Sequence, residues 1–284
     1  RLAIAGAVWV TEHCYLPHLL ADDRYAVTAI YDPVRERAQQ LATKLPNLLT
    51  SSSFENALEG ADAVLLAHPS PLHVRDSLCA LSKGIVVLSE KPIAARIRDV
   101  IALRDAADAA RVRFIPARVC RHRSDVACWK RLVDKIGSIR SLDLIWQRQR
   151  GVPAAPWQLS YQDGMTGVLA DLGHHLLDLA AWILPRGPIS ILSAAFVMGD
   201  VEPASWYGAN SGRFCDVPVA ANLDLNWNGT HVNVDVAWVS SNLGDVTELR
   251  AVGECGEATL RGLFGFSPER RIPTQTVELR SGTD

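Results

Sequence analysis

The sequence predicts a doubly wound α/β domain over residues 1–117, followed over 118–284 by an α+β domain with a largely antiparallel open sheet. Three observations carry this. Short apolar runs ending in Gly, Asp-Pro or His-Pro alternate with helix-like stretches as far as Pro116. Beyond Arg118 the pattern becomes a few helices and then a series of strand-like runs. Finally, 284 residues are long for one core and suit two.

In the first domain, Leu2–Gly6 reads as a strand, Ala7–Val10 as a turn and Thr11–Leu20 as a helix. A second strand, Tyr25–Tyr31, ends at Asp32-Pro33 and is followed by a charged helix over Val34–Lys44. The third, Ala61–Ala67, ends at His68-Pro69 and leads into a helix over Pro71–Lys83 with proline in its first turn. Gly84–Ser89 is almost wholly apolar, as a parallel strand covered on both faces should be. It runs into Glu90-Lys91-Pro92, a helix over Ile93–Arg111 and a strand over Val112–Pro116.

In the second domain, Asp125–Lys135 is helical, Ser138–Gln149 is a strand, and a proline-rich loop leads to Trp157. A helix over Gly167–Trp182 comes next. Six strands follow, over Ile189–Val197, Val217–Trp227, His231–Val239, Val246–Val252, Ala258–Leu263 and Gln275–Leu279. Asn228-Gly229 is a hairpin signal. Such a sheet has helices on one face, and its open face, with Trp227 and Trp238 near it, is the expected surface for a homodimer or homotetramer.

Hydrophobic content of 48% with 21% charged residues is that of an ordinary globular protein. A net charge of −2 argues against binding nucleic acid or an anionic membrane by bulk charge. The six cysteines lack a C-x-x-C pair or any metal-ligand spacing, which predicts reduced thiols and a cytoplasmic protein. No apolar run is long enough to span a bilayer.

The helix at 167–182 carries the densest chemistry. At about 100° per residue, Asp171, His174, His175 and Asp178 share one face, and Leu172, Leu176, Leu179 and Ile183 share another. On its own the polar face fits a solvated surface, part of a metal site, or an acid/base pair in which Asp171 orients His175. No second ligand cluster accompanies it, so no metal is expected.

Ligands of a doubly wound sheet bind beyond the carboxyl ends of its strands. Here those ends are Gly6, Ala7, Val8, Trp9 and Val10, then Asp32, His68-Pro69 and Glu90-Lys91-Pro92. A carboxylate at Asp32 suits a ribose 2′-hydroxyl and so favours NAD, while the nearby Arg35 keeps NADP open. A dinucleotide fingerprint would place glycine at positions 6, 8 and 11, where the chain has Gly6, Val8 and Thr11.

Glu90-Lys91-Pro92, the segment His68-Pro69-Ser70-Pro71-Leu72-His73 and the block Asp171-x-Gly173-x-His175-x-x-Asp178, in that order, resemble the Gfo/Idh/MocA oxidoreductases over nearly the whole chain. The resemblance implies a Rossmann domain holding NAD or NADP, and a sugar, cyclitol or related alcohol or ketone in the cleft between domains. It implies Lys91, Asp171 and His175 as the catalytic set. Pro92 biases Lys91 to extended backbone, and an ammonium there would stabilise a developing alkoxide. His68, Pro69, Leu72, His73 and Glu90 are expected along the cofactor side, with His68 and His73 contributing backbone rather than chemistry. Arg121, Trp157 and His174 are further substrate-contact candidates. The competing expectation is a ligand-binding or regulatory homologue in which the altered glycine loop has ended redox turnover.

Overall fold

A computed structural model describes residues 1–45, 48–153, 158–161, 167–198, 215–265, 267, 269–270 and 274–281. The chain forms two compact units, Arg1–Ala117 and Arg118–Asp284.

The first unit is built on strands β1 (Leu2–Ala5), β2 (Val27–Tyr31), β3 (Leu49–Thr50), β4 (Ala63–Leu66), β5 (Val86–Ser89) and β6 (Phe114–Pro116). All pair in parallel, in the order β3-β2-β1-β4-β5-β6. The order reverses between β1 and β4, which opens the ligand crevice at their carboxyl ends. Alternation along each strand feeds two separate cores. Ala3, Ala5, Val64 and Leu66 pack with Phe54, Leu81 and Leu103 on one face, whereas Ile4, Ile30 and Leu65 pack with Leu16 and Leu41 on the other. The helices are α1 (Leu16–Leu20), α2 (Arg35–Ala42), α3 (Phe54–Ala57), α4 (His73–Ser82) and α5 (Ile97–Ala110).

Two differences from the sequence reading have plain causes. Strand β3 is two residues long, both exposed, so it carries no apolar signature. Helix α5 starts at Ile97 rather than Ile93, because the backbone stays extended through its cap at Arg96.

The second unit contains α6 (Ser124–Val133), β7 (Ile139–Gln147), α7 (His174–Ile183), β8 (Ile189–Val197), β9 (Ala220–Trp227), β10 (Thr230–Ala237), β11 (Val246–Gly253), β12 (Gly256–Gly262) and β13 (Thr276–Ser281). The sheet order is β13-β12-β11-β7-β10-β9-β8, antiparallel except where β10 runs parallel to β7. Asn228 and Gly229 turn β9 into β10 with φ of 50° and 90°, as a tight hairpin requires.

One sheet face holds the core. Leu142, Leu144 and Trp146 of β7 and Val232, Val234 and Val236 of β10 point into it, packed with Trp129 of α6 and Leu172, Leu176 and Leu179. The open face is polar: Arg250 pairs with Glu257 at 2.6 Å, Arg261 with Glu248 at 2.8 Å, and Asn233 donates to Asp224 at 3.1 Å. This corrects the placement of Trp227 and Trp238. Both lie on the covered side, 9% and 0% exposed, because their strand parity matches that of the core residues. The tryptophans are therefore not part of the open face, which carries ion pairs.

Trp129 is fully buried, and its indole N–H donates to the Ala258 carbonyl at 3.0 Å, pinning α6 to β12. Replacing it by alanine removes the ring and that bond. Trp129→Ala is expected to destabilise the second unit by about 3–5 kcal/mol, read as a lower urea midpoint in far-ultraviolet circular dichroism.

Candidate active site

In the first unit, four strand ends and one helix converge. Gly6 has φ of 112°, and its Cα packs so closely on the end of β4 that a Cβ would lie 2.3 Å from the His68 nitrogen. Only glycine fits there. The chain turns at Ala7 and Val8 and is helical from Trp9, passing through a π-helical turn, Thr11–Tyr15, into α1.

Thr11 replaces the last glycine of a dinucleotide loop with a buried side chain that donates to the Gly6 carbonyl at 2.6 Å. Asp32 fastens the same loop from β2: one oxygen accepts from the Ala7 N–H and the other from the Val34 N–H, each at 2.8 Å. Each oxygen retains a second acceptor site, so the carboxylate can still receive ribose hydroxyls. Arg35 opens α2 on the exposed surface. Trp9 stacks on His13 with ring centroids 4.6 Å apart.

Glu90 joins the loop helix to the end of β5. Its side chain accepts from the Tyr15 hydroxyl at 2.6 Å and from the Lys91 N–H at 3.1 Å. Burial, with the Glu90 charge beside it, pushes the Tyr15 phenol well above its ordinary range.

Pro69 and Leu72 bracket the short helical turn Ser70–Leu72 that leads into α4. His68 and His73, expected to contribute backbone only, have buried rings in contact with polar groups. His73 lies against the Pro92 carbonyl at 2.9 Å and the His68 carbonyl at 2.8 Å. His68 Nε2 is 2.9 Å from Asp76 Oδ2, an ion-pair distance without hydrogen-bond alignment. Burial raises the Asp76 carboxyl, but the His68 and Arg75 contacts outweigh it and hold it below the usual range. The structure thus joins Asp76, His68 and His73 to the segment that carries Lys91.

In the second unit, the helix of interest is helical from Gly167 through Ile183, with π-helical geometry over Leu169–Gly173 ahead of α7. The apolar stripe is confirmed, with Leu172, Leu176 and Leu179 at 0–1% exposure. Asp171 accepts from the Trp238 indole N–H at 2.9 Å and lies 4.0 Å from Arg148. His175 is buried, its ring 5.7 Å from Trp146 and 5.8 Å from His174.

Asp178 is taken up by arginines. Arg121 grips it with two bonds, at 2.6 and 2.7 Å, and Arg118 approaches to 3.4 Å. Arg121, a candidate for substrate contact, therefore has its fork on Asp178 and its guanidinium 5.6 Å from the Trp182 ring. Trp157 lies outside the described residues. Sequence reasoning missed Tyr15, Asp76, Arg148 and Trp238. Asp76 follows His73 at helical spacing and was detectable; the others act over separations that leave no local pattern. Among the described residues no group of three or more His, Cys, Asp or Glu could hold a metal ion, and no helix is long and apolar enough to cross a membrane.

A family model described as the oxidoreductase family with an NAD-binding Rossmann fold matches residues 1–117, and the GFO/IDH/MocA C-terminal domain matches residues 129–259. A protein of Amycolatopsis mediterranei named as the oxidoreductase subunit of UDP-kanosamine synthase is 31% identical, over 100% of this chain and 81% of its own length. The chain belongs to the Gfo/Idh/MocA oxidoreductases. Among solved structures of this fold, the WlbA dehydrogenase from Bordetella pertussis, in complex with NADH and UDP-GlcNAcA, superposes with a TM-score of 0.78 at 21% identity, covering 96% of this chain and 78% of that one. A 3-ketoreductase from Actinomadura kijaniata, in complex with NADP and TDP-benzene, gives 0.76 at 19% identity, covering 99% and 84%. At these identities the structures bear on fold. Family membership rests on the matched domains and the full-length relative.

Burial holds the His73 imidazole down to about 4, against the opposing pull of its two carbonyl contacts. A folded-state value below the unfolded one means that the unfolded chain binds the proton first. The stability contributed by neutral His73 is full above about pH 6.5 and falls as pH drops through 4, by about 3 kcal/mol in all. Chemical denaturation between pH 7 and 4 should show this slope, and His73→Gln should flatten it.

Proposed function

We propose that this family member is an NAD-dependent dehydrogenase or reductase of a sugar carbinol or ketone, with Lys91, Asp171 and His175 as its acid/base groups. Nucleotide-linked hexoses are the class to try first. The observation that carries the reading is the retention of all three groups: Lys91 just past the carboxyl end of β5, and Asp171 and His175 on one helix, Asp171 bonded by the Trp238 indole and His175 buried against Trp146. The full-length relative named for UDP-kanosamine synthesis supports the substrate class.

The residues around Gly6 fit a dinucleotide. The loop enters its helix directly at Trp9, which leaves N-terminal backbone N–H groups for a pyrophosphate. Asp32 retains acceptor capacity for ribose hydroxyls and would repel a 2′-phosphate, which favours NAD. Thr11 performs by a side-chain bond what a compact glycine turn would otherwise do, so the substituted loop remains a defined structure.

When bound, the nicotinamide accepts or donates the hydride. In the oxidative direction the substrate carbon loses its C–H as hydride and its O–H proton passes to His175, leaving a carbonyl. The Lys91 ammonium stabilises the oxygen as charge develops on it. Asp171, as an anion, favours the imidazolium that results. Reduction runs the same steps in reverse, with His175 as the acid.

Fluorescence titration should show NADH binding more tightly than NADPH, and Asp32→Ala should narrow that preference. Failure of both dinucleotides to bind would overturn the redox reading in favour of a regulatory homologue. With a turnover substrate found among nucleotide sugars, free sugars and cyclitols, Lys91→Ala and His175→Ala are each expected to lower kcat by about 100- to 10,000-fold while NADH affinity changes little. Unchanged turnover in either variant would refute its role.

A further inference from the structure

Two polar groups from outside its helix meet Asp171. Trp238, just past β10 and fully buried, gives its indole N–H to Asp171 Oδ2 at 2.9 Å. Arg148, just past β7, has a side chain only 8% exposed and places Nη1 4.0 Å from the same oxygen. Its guanidinium lies 5.6 Å from the Trp146 ring centroid, and the His175 ring lies 5.7 Å from that same indole. Arg148 is held by donating to the Gly151 carbonyl at 3.3 Å. A buried cation and an indole donor thus converge on the carboxylate that precedes the acid/base imidazole by four residues on the same helix.

We propose that Arg148 and Trp238 are positioning residues that keep Asp171 ionised while offsetting part of its charge, so that His175 stays a neutral base until a proton reaches it. This rests on the acid/base reading of Asp171 and His175 given above. A carboxylate beside a histidine raises its pKa, and a buried histidine already protonated at neutral pH could not accept the substrate proton. A cation and a donor on that carboxylate act in the opposite direction. Both also fix the carboxylate orientation, because the indole N–H has one direction in which to donate.

Three further titratable groups lie near this cluster. His174 is its neighbour on the helix, and Asp178, one turn on, is neutralised by Arg121 and Arg118. Ahead of β11, Asp245 accepts the Gln149 N–H at 2.8 Å, beside Arg148 in the chain. Of these groups, Arg148 is the buried cation placed against the Asp171 carboxylate.

The test is the titration of His175 followed by imidazole C–H NMR in the full chain, with the resonance assigned by its loss in His175→Gln. Arg148→Met and Trp238→Phe should each raise the His175 pKa by about 0.5–1 unit, because each leaves more of the Asp171 charge to favour imidazolium. Arg148→Lys keeps the cation and should leave the titration near that of wild type, an outcome that loosened packing would not produce. If Arg148→Met does not fold, Trp238→Phe with an unaltered circular dichroism spectrum decides. A titration unchanged in the folded variants, or displaced equally by Arg148→Lys, overturns the proposal. The two readings fail separately: turnover surviving in His175→Ala would remove the acid/base role, whereas the titration shifts do not depend on any substrate.

Discussion

The first unit depends on one close approach. Gly6 sits against the backbone of Ala67 and His68 where any side chain would collide, so the ends of β1 and β4 meet without a spacer. Three further contacts use that meeting point. Thr11 donates to the Gly6 carbonyl, Asp32 holds the next residue, and His73 accepts its place by packing its ring on the His68 carbonyl. The His73 ring also reaches Pro92, so the geometry fixed at Gly6 is transmitted through one imidazole to the segment bearing Lys91. Backbone proximity, rather than any single strong bond, organises the strand ends.

The parts of the fold legible in sequence were those with a local cause. β1, β4 and β5 are short apolar runs closed by Gly, His-Pro or Glu-Lys-Pro, and Asn228-Gly229 supplies the positive φ values of its hairpin. The doubly wound class was legible in the alternation of strands and helices, whereas the order β3-β2-β1-β4-β5-β6 came only from the pairing. Trp227 and Trp238 were misplaced because period-2 alternation gives two faces but does not say which one the helices cover. Only the contacts of α6 and α7 decide that.

The site was legible to a different degree. The polar helix stood out because Asp171, His175 and Asp178 recur at helical spacing, but spacing could not separate an acid/base pair from a structural anchor. The side-chain partners differ: Asp178 is taken up by two arginines, whereas Asp171 meets an indole and a buried guanidinium. Those partners lie 67 and 23 positions away in sequence. No periodicity links such residues, since it is the parallel pairing of β7 with β10 that brings Arg148 and Trp238 to one end of the sheet. The altered glycine loop was read as a loss, whereas Thr11 and Asp32 replace glycine compactness with specific bonds.

The π-helical stretch at Leu169–Gly173 bears on how this site tolerates change in chain length. A π turn inside an α-helix accommodates one residue more than the α-helical path would. Loss of a single residue there would let the helix continue undisturbed in hydrogen-bonding terms, so a length change would be nearly silent for the fold. It would not be silent for the chemistry. The flanking turns would keep their faces, but Asp171, inside the π turn, would shift relative to His175 and lose its alignment with Trp238 and Arg148. Homologues that lack the extra residue would have to present their carboxylate from another helical position, making the length of this turn a point at which fold and active-site alignment can diverge.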